Sequence, residues 1–251
     1  MILFIIPFIA EGVAADWTRA VVVLERTLRS ILANPEKDLR AMVICQDRPP
    51  LSLKDDRYLF LESKNPKPNK QDIRAKHQDK GIKTAEAFEA ARTIAPEYVM
   101  IVDADDLISN SLVSYVYQRP EYDAFCLKKG YEWREGSSSL IVRRNFNQVC
   151  GSAFIWRYNE RLFPAWISKN YSVKRVADQG HNLVEDAMDA GGFKVDKIYQ
   201  PKAIYVTGHI NHMYMPYHHQ TLKRQLKELL LYPLRNRSLT KALKNEFGIM
   251  G

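Results

Sequence analysis

YVMIVDADD, residues 98–106, joins an apolar run directly to three carboxylates. The run is rich in Val and Ile and follows Pro96, which is typical of a central strand in a parallel sheet. Ligands of open α/β sheets bind outside the carboxyl ends of such strands, so Asp103, Asp105 and Asp106 are expected at the functional edge. On an extended chain, Asp103 and Asp105 would share one side and bind a divalent cation together with a diphosphate. The alternative is a solvated acidic turn that caps the next helix.

The composition is that of an ordinary globular protein with a surplus of basic residues. The chain has 251 residues, 46% of them hydrophobic, which suffices for one sizeable core. The net charge of +8 fits a polyanionic partner, a membrane surface or phosphate-bearing substrates, without choosing among them. Cys45, Cys126 and Cys150 lie far apart, so we expect buried free thiols in a reducing compartment rather than a disulfide framework.

The apolar N-terminus is predicted to be a buried strand rather than a signal peptide. No basic region precedes it, Pro7 interrupts it and Glu11 ends it. No stretch approaches the ~20 apolar residues that a membrane helix needs. We therefore expect a cytoplasmic protein that is soluble or lies peripherally on the inner face of the membrane.

Hydrophobic periodicity in the first half predicts alternating strands and helices. Strands are expected at residues 1–9, 41–45, 58–61 and 98–102, and helices at about 16–34 and 82–95. The basic stretch 62–83 is predicted to be a loop, because Pro66 and Pro68 exclude a helix at its start. This order predicts a doubly wound, mixed but mostly parallel α/β sheet of the Rossmann-like kind.

The second half is predicted to add a short helix that Ser109 or Asn110 caps and that runs through Val116, short strands, a second helix and a basic tail. The strands are expected at residues 122–128, 139–143, 153–157, 194–199 and 203–206. The second helix is expected at 176–191, ahead of Gly192. From Tyr217 on, leucines and basic residues alternate as in an amphipathic helix. We expect one α/β domain, residues 1–216, divided near residue 106 into two halves, and a helical tail, 217–251.

Several segments, taken in order, resemble a glycosyltransferase of the A-type fold, close to family 2. IIPFIAE at 5–11 is similar to that family's opening strand, which ends in a proline and then an acidic residue near the nucleotide. VDADD at 102–106 resembles its metal and nucleotide signature, and GSA at 151–153 its turn beside the acceptor. Residues 178–192 resemble its catalytic-base helix, and YVTGHIN at 205–211 resembles a late segment that returns to the active site.

The resemblance implies a metal-dependent, inverting glycosyltransferase of polysaccharide biosynthesis, with Mn²⁺ or Mg²⁺ as cation. It would move a sugar from a nucleotide-diphosphate donor, with a UDP-sugar favoured, to a hydroxyl of a glycan or lipid-linked acceptor. The family's Asp-rich Gly-Ser turn after the second strand is replaced here by Gln46-Asp47-Arg48-Pro49. The expected donor contacts are Pro7, Glu11, Asp47, Arg74, Lys76, Lys80, Asp103 and Ala104.

The chemistry of sugar transfer suggests roles for further residues. The cluster Arg74, Lys76, Lys80 and Lys83 lies before a predicted helix N-terminus and is expected to help neutralise the leaving diphosphate. Asp105 is the expected metal ligand. His209 is a candidate for a second, because imidazole suits Mn²⁺, whereas a zinc pair with His212 lacks further ligands.

A general base must accept the proton of the acceptor hydroxyl. Asp178 is the first candidate, with Glu185 and Asp186 behind it, although carboxylates on a helix are commonly solvated or salt-bridged. Gly151 and Ser152 are the expected acceptor contacts. Aromatic rings stack on sugars, so Trp156 is also expected at the acceptor, with core packing as the alternative for it and for the other tryptophans.

Other functions stay open. A nucleotidyltransferase can share this α/β layer, but it normally has a Gly-rich loop after the first strand, where this chain has PFIAEG at 7–12. A basic nucleic-acid-binding protein would need a recognisable motif, and none is present, so no nucleic-acid partner is expected. The basic tail suits an anionic membrane surface, or it packs its leucines on the catalytic domain.

Overall fold

The computed structural model describes residues 1–158, 184, 192–208 and 234–249. The strands in these ranges are β1 Ile2–Pro7, β2 Leu39–Cys45, β3 Tyr58–Glu62, β4 Tyr98–Ile101, β5 Leu107–Ile108, β6 Ala124–Leu127, β7 Gly130–Arg134, β8 Ser139–Arg143, β9 Phe154–Arg157, β10 Val195–Ile198, β11 Ala203–Thr207 and β12 Asn236–Ser238. The helices are α1 Trp17–Leu32, α2 Ile73–Ile94, α3 Leu112–Tyr117 and α4 Lys241–Phe247, with a 3-10 turn at Phe146–Gln148.

A seven-stranded sheet forms the centre of the fold, in the order β10-β6-β9-β4-β1-β2-β3. Strands β4, β1, β2 and β3 run parallel, as do β10 and β6, while β9 is antiparallel to both of its neighbours. In β1, Ile2 to Ile6 are completely buried, as expected of a strand covered on both faces. The prediction of a mixed, mostly parallel, Rossmann-like α/β sheet is confirmed.

A second, five-stranded sheet was not predicted. Its order is β12-β8-β7-β11-β5, and it has its own apolar core around Trp133, Leu140 and Phe247. Its strand β7 lies in the segment that we predicted to be a loop, because Gly130 and Gly136 frame a polar stretch there. Gly130 is required at this point: a Cβ atom would lie 2.3 Å from the Phe146 ring.

Helix α1 follows the sequence closely. The sequence offers Asp16 or Thr18 as its cap, and Asp16 takes this role by accepting a hydrogen bond of 2.9 Å from the backbone N–H of Arg19. Its predicted apolar stripe is buried against the sheet: Val21, Leu24, Leu28 and Ile31. The helix therefore packs on the central sheet as an ordinary amphipathic helix does.

Helix α2 begins earlier than expected. It starts at Ile73 instead of near Ile82, because the side chain of Asp72 accepts hydrogen bonds from the N–H groups of Arg74, at 2.8 Å, and Ala75, at 3.1 Å. The predicted loop therefore ends at Asp72. The basic cluster of this segment lies within the first turns of the helix, so the prediction that it precedes the helix N-terminus is wrong.

The C-terminal segment 234–249 packs into the fold, which is one of the two alternatives left open for the basic tail. Strand β12 pairs with β8, and Phe247 of α4 is completely buried. The hydroxyl of Ser109 donates a hydrogen bond of 2.7 Å to Glu246. Residues 217–233 lie outside the described part of the chain.

Two further expectations can be compared with the fold. Cys45, Cys126 and Cys150 are buried free thiols, as predicted. Burial raises the pKa of Cys45 to about 11, so this thiol is unreactive at neutral pH. Within the described ranges, no helix is both long and apolar enough to cross a membrane.

Glu25 fastens α1 to the loop before β3. Its carboxylate accepts hydrogen bonds from the Ser52 N–H at 2.8 Å, the Ser52 hydroxyl at 2.6 Å and the Arg29 guanidinium at 2.5 Å. Burial alone would raise the pKa of Glu25, but these hydrogen bonds outweigh it and lower the pKa to about 2. The carboxylate therefore stabilises the fold only while it is ionised.

We predict that Glu25→Gln lowers the free energy of unfolding by about 1–2 kcal/mol at pH 7, because the neutral amide replaces only part of the hydrogen bonds that this solvent-screened carboxylate accepts. The folded-state pKa lies below the unfolded one. This stability is therefore fully present above about pH 4.5 and is lost as the pH falls towards about 2. Urea denaturation across this range measures the difference.

Glu89→Gln is the matched control, because Glu89 forms an exposed helix pair with Arg92 at 3.3 Å. It should change the free energy of unfolding by no more than ~0.5 kcal/mol. If the two variants lose equal stability, or if the Glu25→Gln deficit does not shrink in acid, the hydrogen bonds of Glu25 do not have the assigned role.

Candidate active site

The carboxyl ends of three parallel strands meet at one edge of the central sheet. Strands β2, β1 and β4 are neighbours in that order, so the residues that follow them lie together. Pro7 ends β1, and the N–H of Phe8 continues its pairing to the Ile44 carbonyl of β2 at 2.8 Å. Asp47 follows β2 and Asp103 follows β4. The predicted donor side of the site is thus assembled by the sheet itself.

The acidic segment 103–106 is a turn, and our prediction of an extended chain is wrong. The N–H of Asp106 donates to the Asp103 carbonyl at 3.0 Å, which closes a β-turn. The hydroxyl of Thr27 on α1 donates to the Ala104 carbonyl at 3.0 Å and holds the turn from the helix side. Asp103 and Asp105 are both partly exposed, so they can meet a ligand. Their arrangement follows from the turn and not from strand alternation.

Lys80 forms an ion pair with Asp103 at this turn. The two side chains are 35% and 25% exposed, so the pair is open to a ligand. Burial lowers the pKa of Lys80, but the charge and hydrogen bond of Asp103, with further charge from Asp105, raise it overall. Lys80 therefore carries a permanent positive charge beside the carboxylates at neutral pH.

Asp47 links the loops that follow β1 and β2. Its carboxylate accepts hydrogen bonds from the Glu11 N–H at 2.9 Å and from the Lys67 ammonium at 2.6 Å. Burial raises the pKa of Asp47, but these two hydrogen bonds outweigh it, so its pKa lies below the usual value. The structure thus brings Glu11 and Asp47, both predicted donor contacts, to adjacent positions.

Lys83 is buried beneath this edge and is only 1% exposed. Its ammonium donates to the Phe8 carbonyl at 2.6 Å and pairs with Asp79, one helical turn earlier, at 2.6 Å. The second oxygen of Asp79 accepts hydrogen bonds of 2.8 Å from the side-chain amides of Gln46 and Asn65. One ion pair therefore fastens α2 to the segments that follow β1, β2 and β3.

Sequence reasoning missed this network, although it grouped Lys83 with the basic cluster. The available signal was the i, i+4 spacing of Asp79 and Lys83, which indicates an ion pair only where the segment is helical. Because we expected a loop over Asp79, we did not expect the Asp79 and Lys83 side chains to share a helix face.

Asp106 is a second buried carboxylate, on the far side of the turn. It accepts hydrogen bonds from the Ser152 hydroxyl at 2.6 Å, the Cys150 thiol at 3.1 Å and the Val206 N–H at 3.3 Å. The Ser152 hydroxyl in turn accepts a hydrogen bond of 2.8 Å from the Asp103 N–H. Burial, followed by the charges of Asp105 and Asp103, raises the pKa of Asp106 well above its usual value. Asp106 supports the turn and does not cap a helix.

Two predicted acceptor contacts are buried. The Ser152 side chain has no exposed surface and is occupied by Asp106 and the Asp103 N–H. Trp156 lies in the middle of β9, 5% exposed, and stacks on Phe154 with ring centroids 6.0 Å apart. These two buried side chains lie on the interior side of the site and do not offer a sugar-binding surface. Gly151, beside them, is partly exposed.

The remaining predicted residues are spread along α2 or lie outside the described ranges. Arg74 is exposed in the first turn of α2, and Lys76 is half-buried one turn before Lys80. Lys76 and Lys80 share a helix face, which Arg74 does not. The candidates Asp178, Glu185, Asp186 and His209 all lie outside the described part of the chain.

The described part of the acidic edge fits a cation that is shared with a ligand. Among the described residues, no group of three or more His, Cys, Asp or Glu side chains could hold a metal ion by itself. Asp105 and Asp103 supply one or two carboxylates, the donor set with which Mg²⁺ is bound jointly with substrate phosphates. Asp105 and Asp103 are therefore the described residues of the turn that could take part in such a site.

Comparisons with known proteins find similarity only at the level of structure. No protein-family model matches the sequence, and no curated protein matches it significantly. The bifunctional IspDF of Campylobacter jejuni superimposes with a TM-score of 0.39 and 14% identity, over 79% of this chain and 49% of that one. S. aureus TarS gives 0.44 and 11%, over 82% and 36%. A protein of Desulfovibrio desulfuricans G20 described as a nucleotide-diphospho-sugar transferase gives 0.38 and 11%, over 92% and 97%.

The chain thus spans half or less of the length of IspDF and TarS. These low TM-scores and identities do not discriminate between activities.

We predict that Lys83→Met lowers the free energy of unfolding by ~3–5 kcal/mol, because it leaves the buried Asp79 carboxylate without a counter-charge. The double variant Lys83→Met, Asp79→Asn should recover at least about half of the loss, because the neutral amide oxygen still accepts from Gln46 and Asn65. Urea denaturation measures both.

Lys70→Met is the matched control, because Lys70 is exposed in the loop before α2. It should change the free energy of unfolding by less than ~0.5 kcal/mol. A loss at Lys83 no larger than at Lys70, or a double variant worse than the single one, would show that the buried pair does not hold the edge together.

Proposed function

We propose that this chain is a metal-dependent glycosyltransferase that moves a sugar from a nucleotide-diphosphate donor to an acceptor hydroxyl, with inversion. The observation that supports it best is the open Lys80–Asp103 pair beside Asp105, at the carboxyl edge where ligands of such sheets bind. Carboxylates that can bind a cation lie there beside an ammonium group that can bind a phosphate. This is the charge pattern that a nucleotide diphosphate requires.

In the proposed reaction, the acceptor oxygen forms a bond to the anomeric carbon of the sugar while the bond from that carbon to the diphosphate oxygen breaks. The nucleoside diphosphate leaves with the electron pair, and the proton of the acceptor hydroxyl passes to a base. A divalent cation bound with the donor would supply positive charge to the leaving group. Asp105 is the proposed ligand for that cation, with His209 as a candidate second ligand.

Lys80 is proposed to exchange its ion-pair partner when a donor binds. Without a ligand it neutralises Asp103, and a bound diphosphate offers it oxygens with more charge. Asp103 then becomes available to the ribose or to the cation. Pro7, Glu11, Asp47 and the Ala104 backbone form the proposed nucleotide side, with Arg74 and Lys76 further along α2. A UDP-sugar is the favoured donor because of the resemblance stated above.

The base is proposed to come from the second half of the chain. Asp178 is the first candidate, and Glu185 and Asp186 follow. The acceptor is proposed to be a glycan or a lipid-linked glycan that enters beside Gly151. A lipid-linked acceptor would suit a cytoplasmic enzyme in peripheral contact with the membrane through the basic tail, residues 217–251.

A nucleotidyltransferase is the main competing function. The loop after β1 bears on this choice, because nucleotidyl transfer normally uses a Gly-rich loop there. The loop contains one glycine, Gly12, and closes with hydrogen bonds of 3.0 Å from the N–H groups of Val13 and Ala14 to the Ala10 carbonyl. The products decide: glycosyl transfer releases a nucleoside diphosphate, whereas nucleotidyl transfer from a nucleoside triphosphate releases pyrophosphate.

We predict that a panel of nucleotide-sugars with Mn²⁺ or Mg²⁺ contains one donor that raises the melting temperature. At ~100 times its dissociation constant, a donor stabilises the fold by about 2.7 kcal/mol. Asp105→Asn or a chelator should abolish most of the shift, and incubation should release a nucleoside diphosphate. Asp56→Asn, at an exposed aspartate before β3, is the control and should keep the shift. The proposal fails if no donor shifts the melting temperature, or if pyrophosphate is the product.

We predict that Asp178→Asn keeps the donor-induced shift but slows transfer by ~10²–10⁴-fold, the usual contribution of a general base. Rates of nucleoside diphosphate release with saturating acceptor measure this. A rate equal to that of the unmodified protein would move the proposed base to Glu185 or Asp186.

A further inference from the structure

A groove of about 810 Å³ lies at the edge of the sheet opposite to the acidic turn. Arg57 precedes β3, which runs parallel to β4, so it lies at the amino edge, whereas Asp103 follows β4 at the carboxyl edge. The last turn of α1 and one side of α4 form the other walls. The groove is therefore separate from the proposed donor site.

The two arginines of the groove already have partners. Arg29 pairs with Glu25 at 2.5 Å. Arg57 pairs with Asp55 at 2.8 Å and also donates to the Leu32 carbonyl at 2.9 Å, at the end of α1. Their charges are locally balanced, and Arg57 also satisfies a carbonyl that the helix end would otherwise leave open.

The two lysines of the groove are not balanced in this way. Lys241 and Lys244 lie three residues apart on α4, so they share one face, and both line the groove beside the Asn245 amide. Within the described ranges, neither forms an ion pair with an Asp or Glu. The groove thus has an excess positive charge of about two, set among amide and guanidinium donors, and this arrangement attracts an anion.

The walls of the groove are held firmly. Phe247 and Ile249 anchor α4 in the second core. Gly248, with φ +64°, brings the end of α4 against α1, where a Cβ atom would lie 3.3 Å from the Ser30 Cα. Glu25 holds Ser52 of the loop that forms the third wall, at 2.8 and 2.6 Å. The fold therefore fixes the backbone positions of the two lysines, which reduces the ordering that a ligand must impose.

We propose that this groove is a second binding site, for the phosphate group of a ligand held by Lys241, Lys244 and the Asn245 amide. Lysine ammonium groups and an amide N–H match phosphate oxygens. Leu32, Leu53 and Ile249 add apolar surface beside the charges, which a bare ion would not need. The phosphate belongs either to a lipid headgroup or to a soluble phosphate ester. This site does not depend on the proposed glycosyl transfer.

Chemical acetylation of the lysines in the whole chain tests the site. Mass spectrometry measures how far each lysine is acetylated with and without a probe. Inorganic phosphate and phosphatidylglycerol vesicles are the two probes, with phosphatidylcholine vesicles as the neutral comparison. We expect at least one probe to protect Lys241 and Lys244, while Lys194 and Lys197, exposed at the β10 edge, stay reactive. Protection by phosphate identifies a soluble ester, and protection by phosphatidylglycerol alone identifies a lipid headgroup.

Charge variants give an independent measurement with the probe that protects. Lys241→Gln, Lys244→Gln should weaken its binding by roughly 30-fold, since each lysine near an anionic surface contributes about fivefold. Lys241→Arg, Lys244→Arg should stay within about threefold, because the charge is retained. The control Lys194→Gln, Lys197→Gln should not change binding.

The proposal is overturned if neither probe protects the two lysines, if all four lysines are protected alike, or if the groove and control variants bind equally. The melting-temperature panel with nucleotide-sugars reports on the carboxyl edge, whereas these assays report on the groove. The two proposals therefore fail separately.

Discussion

The buried ammonium of Lys83 is the contact on which the carboxyl edge depends. The segments that follow β1, β2 and β3 lie beyond the strand pairing of the sheet. Other bonds must therefore hold these segments in fixed positions relative to one another. The Lys83–Asp79 pair supplies these bonds through one backbone carbonyl and two side-chain amides. A buried charge is tolerable only when it is fully paired, so the same network that positions the loops also makes their positions nearly unique.

The acidic edge contains carboxylates in two environments. Asp79 and Asp106 are buried and are used for hydrogen bonds inside the protein, whereas Asp103 and Asp105 are partly exposed. Asp106, with Ser152, supports the backbone around the exposed pair, while Asp79 holds the neighbouring segments that follow β2 and β3. A ligand therefore meets charges whose orientation was settled when the chain folded, which is the arrangement that electrostatic catalysis requires.

The parallel strands could be read from the sequence because strands buried on both faces appear as uninterrupted apolar runs, as β1, β2 and β4 do. Helix α1 was equally visible through its cap and stripe. The start of α2 was not, because the face that it buries there carries Asp79 and Lys83, and apolar periodicity cannot detect a polar buried face. At the site, the end of a predicted strand indicated the position of Asp103, whereas Lys80 was expected in a loop and lies on α2. The turn and the burial of Ser152 depend on contacts between distant segments, which sequence spacing does not encode.

The pairing of β12 with β8 has a consequence for the order in which the protein forms. Nearly a hundred residues separate the two strands, and during synthesis at about 5–20 residues per second the ribosome needs roughly 5–20 s to make them. Until then the outer edge of β8 lacks this neighbour, and the apolar surface that receives Phe247 is uncovered. An open strand edge of this kind invites association with other chains. The newly made protein should therefore be more prone to aggregation until β12 and α4 have emerged from the ribosome.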